Sequence, residues 1–249
     1  MPDSQSRLSE IKETYREIYL IVAPPRTAST AFTRVIWEHP QVGFYCHEPF
    51  ELVYHRNLAL TSVIGKLNNL IGLDRAEHKQ EGDKVSVVVK EMTFQVGKHF
   101  PLLVSLTTHP VIFLMRDPRR SILSRMQRRK EGNQPAIFPP VESGWHDLHL
   151  QVMHCKAQNI PYLIVDAQDF RRAPNSIFQI VLERLGLPFV PEVLSWQPLA
   201  NVTLDDLGGE QSHWHARALG STRIEAEDDS LPEMDVFPDS GLFRNLLQT

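Results

Sequence analysis

The chain of 249 residues is short of several things, and each shortage removes a class of proteins. It has two cysteines, Cys46 and Cys155, and neither lies in a Cys-x-x-Cys pair, so no disulfide framework is available and a reducing compartment is expected. It has no basic excess: 26 Lys and Arg against 30 Asp and Glu give a formal net charge of −4. Nucleic acid, whose phosphates demand such an excess, is therefore not an expected partner. No run reaches the roughly 18 to 20 apolar residues of a membrane span. The first 17 residues are polar and lack the apolar core of a signal peptide, so a cytoplasmic, soluble protein with no membrane partner is expected. Eleven histidines are many, yet His146, His149 and His154 miss the i,i+4 spacing of a helical metal pair. His213 and His215 stand apart from any Cys or carboxylate pattern, so no metal is expected. The chain also lacks the G-x-x-x-x-G-K-[ST] loop of nucleoside-triphosphate enzymes.

What is present is a regular alternation. Apolar runs at residues 18–23, 42–46, 84–90, 111–115 and 162–166 read as strands. Between them, residues 31–38, 96–106, 118–130, 144–157 and 175–185 read as helices, the last closed by Gly186. The run Val85-Ser86-Val87-Val88-Val89 is apolar on both faces, which suits a parallel sheet covered on both sides. Strands alternating with helices predict an α/β fold, a central parallel sheet of about five strands with helices on both faces. Residues 51–83 are weakly helical and end in a polar surface stretch from 74 to 83. At 42% hydrophobic composition one domain over residues 1–249 is expected, with its core at about 17–186 and an irregular wrap at 187–249.

Two stretches carry chemistry. The first strand empties into Pro25-Arg26-Thr27-Ala28-Ser29-Thr30 and then a helix. A strand, a small-residue turn and a helix N-terminus present unpaired N–H groups and a positive dipole end to an anion. Arg26 adds a planar fork and Thr27, Ser29 and Thr30 add hydroxyls, although the same residue types also make ordinary helix caps. The second stretch begins at Arg116, at the end of the fourth strand, with Pro118 opening a helix. Ser124 follows eight residues after Arg116, and Arg128 lies four further on, on the same helical face as Ser124. Ligands of open α/β sheets bind at such strand ends. Two anion sites on neighbouring strand ends suit a nucleotide phosphorylated at both its 5′ and 3′ positions.

The Pro25 to Thr30 turn resembles the 5′-phosphosulfate loop of sulfotransferases, usually P-[KR]-[ST]-G-[ST]-T, with Ala28 in place of the glycine. Arg116-Asp117-Pro118 with Ser124 is similar to their 3′-phosphate motif. The resemblance implies a P-loop NTPase-like topology and 3′-phosphoadenosine-5′-phosphosulfate (PAPS) as donor, with no metal required. It implies that Arg26, the backbone of residues 27–30 and the Thr30 hydroxyl hold the 5′-phosphosulfate, and that Arg116, Ser124 and Arg128 hold the 3′-phosphate. Later contacts to the nucleotide are open, with Trp214-His215 and Ser221-Thr222-Arg223 as candidates by position.

The segment His39 to Val42 followed by Cys46-His47-Glu48 resembles the one that delivers the catalytic glutamate in tyrosylprotein and some bacterial carbohydrate sulfotransferases. Glu48 is accordingly expected as general base. His47 is the next candidate and Glu91 the third, since Lys90-Glu91-Met92 stands where the cytosolic branch has Lys-Thr-His. The implied reaction moves a sulfuryl group to a hydroxyl or amine of a small-molecule acceptor. Phe44, Tyr45, Phe50, Phe138 and Trp145 are candidates for an apolar acceptor pocket. A carrier-bound acceptor, a secondary metabolite and a carbohydrate all stay open, as does the oligomeric state, homodimer included. A catalytically silent binding subunit and a P-loop nucleotide kinase are the alternatives.

Overall fold

A computed structural model describes residues 10–72, 85–199, 202–204, 206–207, 212–226 and 230–232. Strand β1 (Ile18–Ala23) leads to helix α1 (Ser29–Trp37) and strand β2 (Val42–His47). Helices α2 (Glu51–Arg56) and α3 (Thr61–Asn68) and the two-residue β3 (Ile71–Gly72) follow. Strand β4 (Ser86–Met92) then gives way to α4 (Thr93–Val96), a 3-10 turn and α5 (Phe100–Val104). The second half runs β5 (Val111–Met115), α6 (Pro118–Glu131), α7 (Trp145–Ala157), β6 (Tyr162–Asp166), α8 (Ala167–Arg172), α9 (Pro174–Arg184) and α10 (Ser212–Gly220).

The sheet has six strands in the order β3-β2-β4-β1-β5-β6, parallel throughout except for β3, which pairs antiparallel with β2. The five expected strands are all there. The sixth is too short to show a periodicity in sequence. The polar stretch expected as a surface insertion at residues 74–83 lies outside the described residues.

Alternation along β1 divides the interior into two layers. Tyr19, Ile21 and Ala23 point to one face, where α1, α8 and α9 deliver Phe32, Phe170 and Phe178. Ile18, Leu20 and Val22 point to the other, where α3, α5 and α7 deliver Leu67, Phe100 and Leu148. The sheet is therefore covered on both sides, which is why its central strands carry apolar residues at every position. The helix expected over 96–106 is broken, because Gly97 at φ +40 ends α4 and a 3-10 turn intervenes before α5. The tail expected to be irregular carries α10, which sits against α1.

This topology fixes where chemistry can occur. The carboxyl ends of β1, β2, β4 and β5 all face one rim of the sheet. They bring Arg26, Glu48, Lys90 and Arg116 to the same side.

Candidate active site

A cavity of about 370 Å³ opens at that rim. Its floor is the turn after β1. Helix α1 starts at Ala28 with no side-chain cap, so the first N–H groups of the helix face the cavity without a protein acceptor from its own cap. Helix α6 differs, since Asp117 accepts a hydrogen bond from Arg119 N at 2.9 Å and closes its own N-terminus. Of these two helices, α1 is the one whose N-terminus has no side-chain cap.

The turn is built from left-handed backbone. Arg26 has φ 64 and Ala28 has φ 58, in the region that favours glycine. Arg116 holds this conformation by donating from Nη1 to the Arg26 carbonyl at 2.7 Å. Thr27 holds it from the other side, its hydroxyl donating to the Pro24 carbonyl at 2.9 Å. Thr27 therefore contributes structure through its side chain and leaves only its backbone to a ligand. Ala28, Ser29 and Thr30 line the cavity directly. Ala28→Gly removes a left-handed cost of about 1–2 kcal/mol and adds a glycine entropy cost of about 0.5–1 kcal/mol. The variant is expected to gain on the order of 0.5 kcal/mol and up to about 3 °C in Tm by calorimetry. A fall in Tm contradicts strain at this position.

Positive charge converges above the turn. Arg26 donates from Nε to Ser124 Oγ at 3.2 Å and from Nη1 to the Trp214 carbonyl at 3.4 Å, with its guanidinium 5.6 Å from the Trp214 ring centroid. Burial, and then the charges of Arg128, Arg116 and Arg125, push the Arg26 pKa down to about 10. Seven arginines line the cavity against three glutamates. All three glutamates are already bonded, Glu48 to Lys90, Glu142 to Arg125 and Glu225 to Arg217. A site this rich in cations is arranged for a polyanion.

The second motif is placed as follows. Arg116 and Ser124 line the cavity, and Arg128 does not; it pairs with Glu131 at 2.7 Å and reaches the site only through its field on Arg26. Ser124 and Arg128 do share a helical face, but Arg125 and Arg129, each about 100° further round the helix, are the pair that faces the cavity. The Arg125 guanidinium lies 4.7 Å from the Phe138 ring centroid and 5.5 Å from that of Trp214, with Phe94 at 5.7 Å.

Glu48 follows β2 at φ 45 and is buried at the inner wall. Its N–H donates to the Lys90 carbonyl at 2.7 Å, and its carboxylate takes the Lys90 ammonium and lies 3.2 Å from His47 Nε2. Burial pulls the carboxyl up, but Lys90 and His47 outweigh it and hold Glu48 well below the usual carboxylate range. Glu48 lines the cavity, whereas His47 is wholly buried behind it. Glu91 is turned away. Its two oxygens accept from Phe50 N at 2.8 Å and Met92 N at 2.7 Å, so it fastens β4 to the chain after β2. Burial and the Glu48 charge push its carboxyl well up.

His47, Glu48 and His215 place a ligand atom each within 4.8 Å of one another. Such a triad could grip a metal ion by distance alone. The Lys90 ammonium, however, already sits on Glu48 Oε1, the oxygen nearest His47, and opposes a second cation there.

Of the later candidates named by position, Trp214 and His215 arrive from α10 and line the cavity, as do Ser221 and Arg223, while Thr222 does not. Lys90 does not line the cavity, and its pairing with Glu48 had no local signal in the sequence. The aromatics expected to line an acceptor pocket belong to the interior: Tyr45, Phe50 and Phe138 are buried, and Phe44 and Trp145 pack on the core. Apart from the arginines, the lining includes His55, Met92, Phe94 and Gln95, with Gln95 Oε1 buried and lacking a partner among the described residues.

No family model and no curated protein matches the chain. Among solved structures, the sulfotransferase domain from the curacin biosynthetic pathway aligns with a TM-score of 0.51 over 94% of this chain and 97% of that one, at 17% identity. The chain has the sulfotransferase fold. Two further similar structures are the sulfotransferase domain from the Synechococcus PCC 7002 olefin synthase (TM-score 0.46, 15% identity, 94% of this chain and 95% of that one) and retinol dehydratase in complex with androsterone and inactive cofactor PAP (TM-score 0.46, 11% identity, 97% and 83%). At those scores nothing is built on the latter two. The turn after β1 and the β5–α6 junction lie on one rim of the sheet. No helix among the described residues is long and apolar enough to cross a membrane.

Proposed function

We propose that this chain transfers a sulfuryl group from PAPS to a hydroxyl or amine of a small-molecule acceptor. The observation that carries this is the crowding of guanidinium groups around an uncapped helix N-terminus, where Arg26 feels Arg116, Arg125 and Arg128 at once. Like charges held together by folding stabilise a bound polyanion with two separated phosphates.

In this reading the open N–H groups of residues 28–30, the Thr30 hydroxyl and Arg26 hold the 5′-phosphosulfate. Arg26 stabilises the charge that grows on the leaving phosphate. Arg116 and Ser124 hold the 3′-phosphate, with Arg128 contributing at longer range and Arg125 and Arg129 closing the wall. Sulfuryl transfer resembles phosphoryl transfer in asking mainly for in-line positioning and charge stabilisation. Glu48 is the catalytic carboxylate: it faces the acceptor, accepts the hydrogen bond of the incoming hydroxyl or amine and orients it. Its pairing with Lys90 keeps it ionised while it does so. No metal is invoked. The acceptor is a small molecule, free or carrier-bound, and two buried free thiols fit a reducing compartment.

Calorimetric titration with 3′-phosphoadenosine 5′-phosphate (PAP) tests the reading. One-to-one binding in the low micromolar range, on the order of −7 to −8 kcal/mol, is expected, with no binding of ATP and Mg²⁺ at comparable concentration. Absence of any PAP binding contradicts it.

A further inference from the structure

Helix α10 carries a histidine whose place in the site no motif announces. His215 is 6% exposed, lines the cavity and points Nε2 at His47 Nε2, 3.3 Å away. The two rings meet edge to face with centroids 4.5 Å apart. Behind them, His47 Nδ1 is hydrogen-bonded to the Tyr45 hydroxyl in the buried sheet. The neighbouring residue, Trp214, is pinned to Arg26 by its carbonyl and its ring. His215 is thus held beside the arginine assigned to the leaving phosphate and beside Glu48. Its Nδ1 is bonded to none of the described residues.

We propose that His215 is a catalytic residue of this site, the group that takes the acceptor's proton. The proposal rests on the sulfuryl-transfer reading. The acceptor oxygen or nitrogen forms its bond to sulfur, the bond from sulfur to the 5′-phosphate oxygen breaks, and that electron pair stays on the phosphate held by Arg26. The proton leaves the acceptor for His215 Nδ1. In the competent tautomer His215 Nε2–H donates to His47 Nε2, and His47 Nδ1–H donates to Tyr45 Oη, so the chain of rings fixes the free lone pair on Nδ1. Glu48 supplies the negative charge beside the imidazolium that forms. Glu48 itself, held ionised by the Lys90 ammonium, is too weak a base to keep the proton.

The charged groups facing His215 are His47 from β2, Glu48 after β2, Lys90 from β4 and Arg26 from the turn after β1. Burial lowers its pKa most, His47, Lys90 and Arg26 lower it further, and Glu48 alone opposes them. In the free protein His215 is therefore a neutral ring. A polyanion bound at Arg26 offsets the positive field and raises its basicity, so proton uptake is coupled to donor binding.

The experiment uses the full chain, PAPS as donor, and water and phenol, whose hydroxyl stays protonated at neutral pH, as probe acceptors, with PAP release as the readout. His215→Ala is expected to slow release by about 10²–10⁴-fold. PAP affinity by calorimetry stays within about threefold, and added imidazole restores part of the rate. Release within about threefold of wild type, a loss that imidazole does not restore, or a loss matched by collapse of PAP binding overturns the catalytic assignment. Failure of the wild-type chain to bind PAP overturns the sulfuryl-transfer reading instead, so the two failures are distinguishable. A second measurement needs neither acceptor nor the alanine variant. Nitrogen-labelled wild-type protein is titrated by NMR, with His215→Asn used only to assign the ring. The His215 imidazole is expected to protonate about one pH unit higher with PAP bound, a tenfold change in proton affinity. Identical titration with and without PAP overturns the proposal.

Discussion

Replacement of Arg116 by alanine is expected to weaken PAP binding by at least about 100-fold, or about 2.8 kcal/mol. Two losses add. In the proposed sulfuryl-transfer reading the variant removes a charge-assisted donor to the 3′-phosphate, and such bonds contribute about 1.5–3 kcal/mol. It also removes the donor that holds the Arg26 carbonyl, so the left-handed turn loses one of its two ties, keeping only the Thr27 hydroxyl on Pro24. Lysine at position 116 restores charge without the fork and is expected to recover only part of the affinity. Calorimetry with PAP reads both effects. Unchanged affinity in Arg116→Ala contradicts the assignment of this arginine to the nucleotide.

The second large effect is one of stability. Lys90 is fully buried at the end of β4 and is bonded to Glu48, itself 2% exposed. Lys90→Met leaves a buried carboxylate without its cation, which costs about 3–5 kcal/mol at neutral pH. In a chain of this size the loss is expected to lower Tm by on the order of 10 °C. The double variant Lys90→Met, Glu48→Gln removes both charges and is expected to recover most of it. The pH dependence separates this pair from ordinary packing. Because the Glu48 carboxyl is depressed in the folded protein, the stability it contributes is complete above the ordinary carboxylate pKa of about 4.3 and is lost as pH falls through the folded value. In Lys90→Met the depression goes with its cause, and the variant is expected to destabilise least in acid, where the carboxyl is neutral. Equal loss at pH 5 and pH 8 contradicts an electrostatic origin.

The framework was readable because the central strands sit in the middle of a two-layer core. Buried on both faces, Val87 to Val89 and Ile112 to Leu114 can only be apolar, and such runs stand out in a sequence. Strand β3 was not readable, since two residues on an edge carry no period. The break between α4 and α5 follows from one glycine at positive φ, a conformation that composition does not reveal.

The site was legible where its chemistry is local and hidden where it is long-range. The Pro25 to Thr30 turn and the Arg116 to Ser124 spacing are each set by one strand, one turn and one helix, so a short sequence window contains them. The choice of Arg125 and Arg129 over Arg128 depends on how α6 is aimed past the cavity. The pairing of Glu48 with Lys90 depends on β2 and β4 being neighbours. His215 is beyond local inference, because 168 residues separate it from His47 and only the docking of α10 on Arg26 brings it in. Ala28 shows a converse case, where the sequence offered alanine for a glycine and the structure gives it the positive φ that a glycine would have taken without cost.

The most direct measurement follows labelled sulfur. The chain is incubated with [³⁵S]PAPS and a panel of hydroxyl- and amine-bearing small molecules, free and carrier-bound, and both labelled product and PAP are quantified. Label transferred to an acceptor in a one-to-one ratio with PAP, and reduced at least about 100-fold by Arg26→Ala, is the expected result. Tight PAPS binding with no label transferred to any acceptor or to water contradicts sulfuryl transfer and leaves a nucleotide-binding protein in its place.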